Sequence, residues 1–457
     1  MGRRRTHEPL HVLLNNRLVG ELSKAASGAI VFQYDASWLG WAHALPVSWS
    51  LPLREDAFRG QVVSAVFENL LPDSIDLRRR VAEKVGAEGT DAYSMLAAIG
   101  RDCVGALQFI SVEDNIVEGD AGKIEGETIN EKGIEKLLRD LSGAPLGLSR
   151  DDPFRISVAG AQEKPALLWY RGRWMKTIGT TATTHILKKQ IGQLQNGIDL
   201  SNSVENEFYC LKLAEAFGFP VNKAEIQSFV KTKALVIERF DRHWTKDNRL
   251  LRVPQEDCCQ ALSIPPTQKY QSEGGPDLVK ILELLKGSDD PAQDQKTVLK
   301  AQIFFWLIGA TDGHAKNFSI FLYPGGRFRL TPLYDVLTAQ PSLDARQIDR
   351  KQMKLAMSVG TSRHYRIDEI VGRHFIQTGE KAGFPEGLIR EAIEEMAAVA
   401  PKAIQDVENE LPKNFPGFIH ESVRKWITGR LKQLPMEEEK KGKGRGGASV
   451  VIKRRRR

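Results

Sequence analysis

Three polar residues around position 320 restrict this chain more than any other feature of its sequence. Asp312 is followed five residues later by Asn317, and Asp335 comes after a segment that reads as a short hairpin. An Asp in the first position can take a proton from a hydroxyl, while an Asn and a second Asp can hold magnesium on phosphates. The spacing indicates a phosphoryl-transfer site, although the His-Arg pair that precedes this Asp in protein kinases is absent.

A strongly apolar segment leads into this motif. Residues 296–309 carry six consecutive apolar side chains, 303–308, and their length predicts a buried core helix that ends at the Asp312 loop. His314 stands between Asp312 and Asn317, which favours a contact with a nucleotide. A zinc ligand is disfavoured there because no second His or Cys stands at ligand spacing.

The residues upstream occur in the order of the parts of a bilobal kinase. A small-residue loop at 159–164 between two predicted strands suits a phosphate, although an ordinary hairpin turn fits the same pattern and no Walker A motif is present. Lys188 ends a predicted strand, and Glu205 and Glu207 open a predicted helix, which suits a lysine–glutamate pair. The strand at 234–242 fits a hinge beside an adenine, or an ordinary strand end.

The composition limits the classes to which this chain can belong. Its 457 residues are enough for two or three domains with substantial cores. The net charge of +7 is concentrated at 440–457, which hold nine Lys or Arg and no acid, so the rest is near neutral. Such a run is typical of a disordered arm, either a solubilising tail or a phosphate-binding arm for nucleic acid. The absence of Cys-x-x-Cys spacing, of a signal peptide and of a membrane-spanning run favours the cytoplasm.

Strand and helix patterns along the chain predict an α+β protein of two lobes. An N-terminal α/β subdomain begins with a hairpin whose turn is Asn15-Asn16, and beyond Pro254 the pattern becomes mostly helical, with a helix opened by residues 255–257. The predicted divisions are the α/β subdomain (1–110), a connector with one helix (111–150), the nucleotide-binding part with phosphate loop and hinge (151–254), the helical catalytic lobe (255–435) and the basic tail (436–457).

Several of these segments together closely resemble one protein family, the HipA toxins of bacterial toxin–antitoxin modules. The segments are 156–164, 184–188, 238–242, 254–257, 309–318 and 330–335, and the resemblance extends through most of residues 10–430. HipA proteins are serine/threonine protein kinases, so the resemblance implies a bilobal protein-kinase-like fold that uses ATP and Mg²⁺. It also implies glutamyl-tRNA synthetase as the target, growth arrest and persistence as the outcome, and a small helix-turn-helix antitoxin, HipB, as the partner. That pair binds operator DNA as a corepressor, which implies association with the nucleoid.

The resemblance also implies roles for single residues. Asp312 would accept the proton, Asn317 and Asp335 would bind magnesium, and Ser157 would be autophosphorylated, which expels the phosphate loop and inactivates the enzyme. Added negative charge on a loop that holds an anionic ligand repels that ligand. The implied nucleotide contacts are Ala159, Gly160, Ala161, Gln162, Glu163, Lys164, Lys188, Glu238, Arg239, Phe240, His314, Ala315, Lys316, Asn317 and Asp335.

The sequence departs from the HipA pattern at two places, and two other functions remain as alternatives to a HipA-type kinase. Family members that touch DNA directly are expected to carry basic residues near 377–384, where this chain has only Lys381, beside Glu380, and the basic tail lies outside the family pattern. The first alternative is a small-molecule or antibiotic kinase, since those enzymes use the same Asp-x-x-x-x-Asn motif. A DNA-bound corepressor with vestigial kinase activity is disfavoured because all three catalytic side chains are present.

Overall fold

The computed structural model of the protein describes residues 7–142 and 164–434, apart from residues 115 and 195. Its first layer is an antiparallel sheet of five strands in the order β4-β3-β2-β1-β5. The strands are β1 (Leu10–Leu14), β2 (Arg17–Lys24), β3 (Ile30–Tyr34), β4 (Phe58–Arg59) and β5 (Leu107–Ser111). The predicted turn is confirmed: Asn15 and Asn16 have φ of 47° and 65°, a conformation that Asn tolerates and a tight hairpin requires.

Four helices belong to this N-terminal layer; the first, second and fourth contact strands of the sheet, and the third packs on the fourth. They are α1 (Ala36–Leu39), α2 (Gln61–Glu68), α3 (Ile75–Val85) and α4 (Ala92–Ile99). Side chains such as Val12, Phe32 and Phe67 are fully buried and share one hydrophobic cluster with Tyr209 and Trp306, far along the chain. The N-terminal layer is therefore joined to the C-terminal helices through a continuous core.

The second sheet has six strands in the order β12-β13-β9-β7-β8-β6. These are β6 (Gly126–Thr128), β7 (Ala166–Tyr170), β8 (Arg173–Thr177), β9 (His185–Lys189), β12 (Ala224–Phe229) and β13 (Thr232–Glu238). Two short hairpins lie beside it: β10 (Gly192–Gln193) with β11 (Asp199–Leu200), and β14 (Arg242–Trp244) with β15 (Leu250–Arg252). The strands predicted at 184–188 and 234–242 correspond to β9 and β13.

Two helices cover opposite faces of this second sheet. They are α5 (Glu131–Arg139) and α6 (Ser203–Ala216). Ala234 and Val236 of β13 face the α5 cluster, whereas Leu235 and Ile237 pack with Val204 of α6. Successive strand residues point to opposite faces, so this continuous apolar run fits a strand buried on both sides.

The C-terminal lobe is mostly helical, as predicted. Its helices are α7 (Cys258–Ala261), α8 (Leu278–Leu284), α9 (Pro291–Ile308), α10 (Gln340–Asp344), α11 (Gly372–Lys381), α12 (Glu386–Glu410) and α13 (Gly417–Leu431). Its strands are β16 (Gln255–Asp257), β17 (Ser319–Tyr323), β18 (Arg327–Leu330), β19 (Lys354–Val359) and β20 (His364–Arg366).

Helix α9 is the buried centre of this lobe. Asp290 caps its start through the backbone N–H of Gln293, and it ends at Gly309, which has φ 71°. All residues from 301 to 308 are buried, as predicted, although the helix begins five residues before the predicted start. Within the described part of the chain, no helix has the combined length and apolar character needed to cross a bilayer.

One prediction of secondary structure is wrong. Residues 255–257 form strand β16 and do not open a helix, because their backbone pairs with β17: Gln255 lies opposite Phe321, and Asp257 lies opposite Ser319. The helix starts one residue later, and Asp257 caps it by accepting hydrogen bonds from the backbone N–H groups of Cys259 and Gln260.

Candidate active site

One cavity of about 560 Å³ is bordered by the second sheet, by α6 and by the loop that follows α9. Most of the described residues that the sequence singled out lie on its wall. They are Lys164, Lys188, Arg239, Phe240, Asp312, His314, Lys316, Asn317 and Asp335. Ala315 is fully buried, and the side chain of Glu238 lies about half exposed near Lys223. Ser157 and the loop residues 159–163 lie outside the described residues.

Lys188 on β9 is the centre of an ion triad in which Lys188 and Glu207 are buried and Asp335 borders the cavity. Its Nζ donates to Glu207 Oε1 at 2.7 Å and to Asp335 Oδ1 at 2.6 Å. The predicted lysine–glutamate pair is therefore confirmed with Glu207, whereas Glu205 pairs with Lys233. Burial alone would lower the pKa of Lys188, but Asp335 and Glu207 outweigh it and raise that pKa above its usual range.

Asp335 follows the β17–β18 hairpin in a left-handed backbone conformation, with φ 58°. Backbone of this kind in a residue other than glycine carries strain, and such positions cluster at functional sites. Burial would raise the pKa of Asp335, but Lys188 and Lys164 outweigh it and hold that pKa well below its usual range. The side chain is 35% exposed, so a charged carboxylate borders the cavity.

The loop that carries Asp312 is tied together by its own polar groups. The carbonyl oxygen of Asp312 accepts hydrogen bonds from the backbone N–H of His314 and from Asn317 Nδ2, each at 2.8 Å. Because Asn317 donates through its nitrogen, its amide oxygen remains as the atom that suits a metal ion. The Asp312 carboxylate is 59% exposed and accepts a hydrogen bond at Oδ1 from the hydroxyl of Tyr270.

A glycine allows this loop to pass close to α9. A Cβ added at Gly313 would lie 2.4 Å from a ring carbon of Phe305, which is closer than real Cβ contacts. His314 is buried, and burial lowers its pKa despite the nearby Asp312. Its ring meets the ring of Tyr270 edge to face, with the ring centroids 4.9 Å apart.

The segment predicted as a hinge uses its charged side chains for structure. The Arg239 guanidinium donates to both carboxylate oxygens of Asp241, at 2.9 and 2.7 Å, and to the carbonyl oxygen of Cys103 at 3.1 Å. Phe240 instead packs near Phe321 and Tyr334, with ring centroids 5.6 and 5.8 Å away. Phe240 is therefore the side chain of this segment that suits a contact with the adenine base of a nucleotide.

Three residues of the site belong to none of the motifs predicted from the sequence. Asp73, from the loop between α2 and α3, accepts hydrogen bonds from Lys316 Nζ at 2.6 Å and from Lys269 Nζ at 2.8 Å. Lys269 directly precedes Tyr270, the third residue. No sequence signal links Asp73 to this loop, because 243 residues separate it from Lys316. Burial would raise the pKa of Asp73, but the two lysines hold it at about 2.

Buried polar atoms on the cavity wall show what kind of ligand fits. Among the described residues, four such atoms lack a hydrogen-bond partner and belong to wall residues: Asn69 Oδ1, Asn222 Oδ1, Gln255 Oε1 and His314 Nδ1. Since unsatisfied buried polar atoms are costly, they indicate a polar ligand. Burial and Lys188 lower the pKa of Lys164 to about 8, so this wall also holds a cation that an anionic ligand would stabilise.

The donor set suits magnesium better than zinc. The described residues contain no group of three or more His, Cys, Asp or Glu side chains that could hold a metal ion. Magnesium is usually held by one or two protein oxygens together with water and substrate phosphates. Asn317 and Asp335 offer an amide oxygen and a carboxylate of this kind on the wall of the same cavity.

Comparisons with known proteins extend over nearly the whole chain. Residues 10–110 match the family model of the HipA N-terminal domain, and residues 156–404 match that of the HipA-like C-terminal domain. The protein named "Putative kinase Y4mE" of Sinorhizobium fredii is 34% identical over 404 residues, 87% of this chain and 91% of the relative. The serine/threonine-protein kinase toxin HipA of Shewanella oneidensis is 27% identical over 416 residues, 88% and 90% of the two chains.

A solved structure shares the fold. It is HipA of Shewanella oneidensis MR-1 in a complex with HipB and operator DNA, with a TM-score of 0.77 and 24% sequence identity. The match covers 93% of this chain and 99% of that one. It confirms the predicted α+β, kinase-like architecture of two lobes.

Proposed function

Because this chain belongs to the HipA family, we propose that it is a serine/threonine protein kinase that acts as the toxin of a toxin–antitoxin pair. The observation that carries the proposal is the single cavity that brings Lys188, Asp312, Asn317 and Asp335 together. These residues come from β9 and from two separate loops of the C-terminal lobe, so their meeting is a property of the fold. The reaction proposed is transfer of the terminal phosphate of ATP to a protein hydroxyl.

Each side chain has a task that follows from its surroundings. Asp312, exposed and oriented by the Tyr270 hydroxyl, accepts the proton of the attacking hydroxyl. Lys188, kept protonated by its two acidic partners, presents positive charge to the phosphates. Asn317 and Asp335 would hold a magnesium ion, which when bound supplies charge that neutralises the transferred group. Positioning and electrostatics supply the rate, since no side chain of the site takes up the phosphate as a covalent intermediate between ATP and the substrate.

The proposed substrate, self-regulation and partner are those that the resemblance to HipA proteins implies. We propose glutamyl-tRNA synthetase as the protein substrate and Ser157 as a site of autophosphorylation that switches the enzyme off. A HipB-like antitoxin is proposed as the partner, and the pair as a corepressor on operator DNA, in the cytoplasm and at the nucleoid. The relative of known structure was solved with HipB and operator DNA, which supports this assembly.

The test of the proposal is phosphate transfer from γ-labelled ATP with Mg²⁺, compared between the natural protein and Asp312→Asn. This change keeps the shape of the side chain but removes the base, so transfer should fall by about 10²- to 10⁴-fold while binding of an ATP analogue persists. Mass spectrometry should place the label on Ser157 and on the protein substrate. Equal labelling by Asp312→Asn would contradict the proposal. Turnover of an aminoglycoside or sugar without protein labelling would favour the small-molecule kinase instead.

A further inference from the structure

We infer that Asp73, a residue of the N-terminal layer, is a positioning residue for the catalytic loop, which it holds from both sides through Lys316 and Lys269. The inference rests on the proposed kinase function for its activity readout and on geometry for the rest. The N-terminal layer would then contribute to the catalytic site, although all the site residues predicted from the sequence lie after residue 150.

The contacts of Asp73 are closed and well matched. Each carboxylate oxygen accepts from a different lysine: Oδ1 from Lys316 at 2.6 Å and Oδ2 from Lys269 at 2.8 Å. All three side chains are largely buried, with 12% exposure for Asp73, 7% for Lys316 and 14% for Lys269. A buried carboxylate between two buried ammonium groups is a structural link, unlike a solvated surface pair.

The first side of this link leads to the metal-binding residues. Lys316 directly precedes Asn317, and its carbonyl oxygen accepts a hydrogen bond from the hydroxyl of Tyr334 at 2.8 Å. Tyr334 in turn directly precedes Asp335. The position of Lys316 therefore determines where Asn317 and the segment with Asp335 lie relative to each other.

The second side leads to the proposed base. Lys269 directly precedes Tyr270, whose hydroxyl donates to Asp312 and whose ring packs against His314. If Lys269 moved away from Asp73, Tyr270 would move with it and the Asp312 carboxylate would lose its orientation. One carboxylate thus controls the base on one side and the metal-binding residues on the other.

Loss of this carboxylate has a clear electrostatic consequence. Without Asp73, Lys316 and Lys269 would lose the one carboxylate to which both ammonium groups donate. In the described part of the chain, neither ammonium group donates a hydrogen bond to the other nearby acids of the cavity wall, Asp257, Asp312 and Asp335. An amide in place of the carboxylate would also turn a donor toward one of the lysines. The lysines would separate, and the two loops they belong to would move with them.

The test compares Asp73→Asn, Asp73→Glu and a matched control, Asp76→Asn. Asp73→Asn should lower kcat by about 10²-fold, since a displacement of about 1 Å in a catalytic group has that effect. Asp73→Glu keeps the charge and should recover most of kcat. Asp76 lies three residues away with its side chain 83% exposed, and its variant should match the natural protein.

A second readout does not depend on activity. Hydrogen exchange of the backbone amides of 311–318 should become faster in Asp73→Asn, while the amides of α9 exchange as before. If Asp73→Asn fails to fold, Lys269→Met tests the same link, because it removes one partner and leaves Lys316 bound. It should speed exchange at 311–314 and lower kcat.

The outcomes separate the two proposals. A kcat for Asp73→Asn within about twofold of the natural protein, or unchanged exchange at 311–318 in the folded variant, would overturn the inference. So would unchanged exchange and kcat in Lys269→Met. If the natural protein transfers no phosphate at all, the proposed function fails, and the exchange experiment still decides whether Asp73 positions the loop.

Discussion

Replacing Lys188 with methionine should lower the free energy of unfolding, because Lys188 is the cation that both acids of the ion triad share. The side chains of Lys188 and Glu207 are 6% and 4% exposed, so the variant leaves Glu207 as a buried carboxylate without its partner. Breaking a buried pair on one side costs about 3 to 5 kcal/mol of unfolding free energy. Asp335 adds little to that cost because it is 35% exposed and water can solvate it.

The assay for Lys188→Met is urea unfolding followed by circular dichroism at pH 8 and pH 5. Burial raises the pKa of Glu207, and loss of Lys188 removes the charge that opposes this effect. A carboxyl group whose pKa is raised in the folded state destabilises the protein when ionised. The deficit of the variant should therefore shrink as the pH falls and Glu207 takes up a proton.

Two further variants give this prediction its control and its refutation. Lys223→Met removes an 86% exposed lysine that lies 3.7 Å from Glu238, and it should change stability by less than about 0.5 kcal/mol. The double variant Lys188→Met/Glu207→Leu removes both buried charges and should recover most of the lost stability. A deficit below about 1 kcal/mol for Lys188→Met, or a double variant no more stable than the single one, would refute the reasoning.

Two other predictions concern the catalytic loop and its link to the N-terminal layer. Gly313→Ala places a Cβ 2.4 Å from a ring carbon of Phe305, so it should lower the free energy of unfolding by about 1 to 3 kcal/mol and should also lower phosphate transfer. Thermal unfolding and transfer equal to those of the natural protein would contradict the close approach. The carboxylate of Asp73, with its pKa held at about 2, stabilises the folded protein above about pH 4, and this contribution of about 2 kcal/mol is lost as the pH falls toward 2. Urea unfolding at pH 5 and pH 3 should therefore show a stability gap between the natural protein and Asp73→Asn that narrows at pH 3, and a constant gap would contradict it.

Local signals in the sequence are sufficient where neighbours along the chain decide the structure. The turn at Asn15 and Asn16 follows from two residues that tolerate positive φ, and α9 follows from a run of apolar side chains too short to cross a membrane. The pairing of Lys188 with Glu207 also follows from order, because only the short β10–β11 hairpin lies between strand β9 and α6. In each case the residues that determine the structure lie within about twenty positions of one another in the sequence.

The same signals fail where the partner is distant. Residues 255–257 form a strand because β17, more than sixty residues later, supplies the pairing partner. The Arg239 guanidinium is held by Asp241 and by the carbonyl oxygen of Cys103 in the N-terminal layer, which no local pattern indicates. Asp73 reaches the catalytic loop across 243 residues for the same reason. Only tertiary packing brings these groups together.

The most direct measurement is diffraction from crystals of the protein grown with a non-hydrolysable ATP analogue and Mn²⁺ in place of Mg²⁺. We expect one anomalous peak within coordination distance of both the amide oxygen of Asn317 and the carboxylate of Asp335, with the terminal phosphate near Lys188. The peak should persist in Asp312→Asn, since that residue is assigned to the proton and not to the metal. A nucleotide bound outside this cavity, or a metal that contacts neither Asn317 nor Asp335, would contradict the proposed active site.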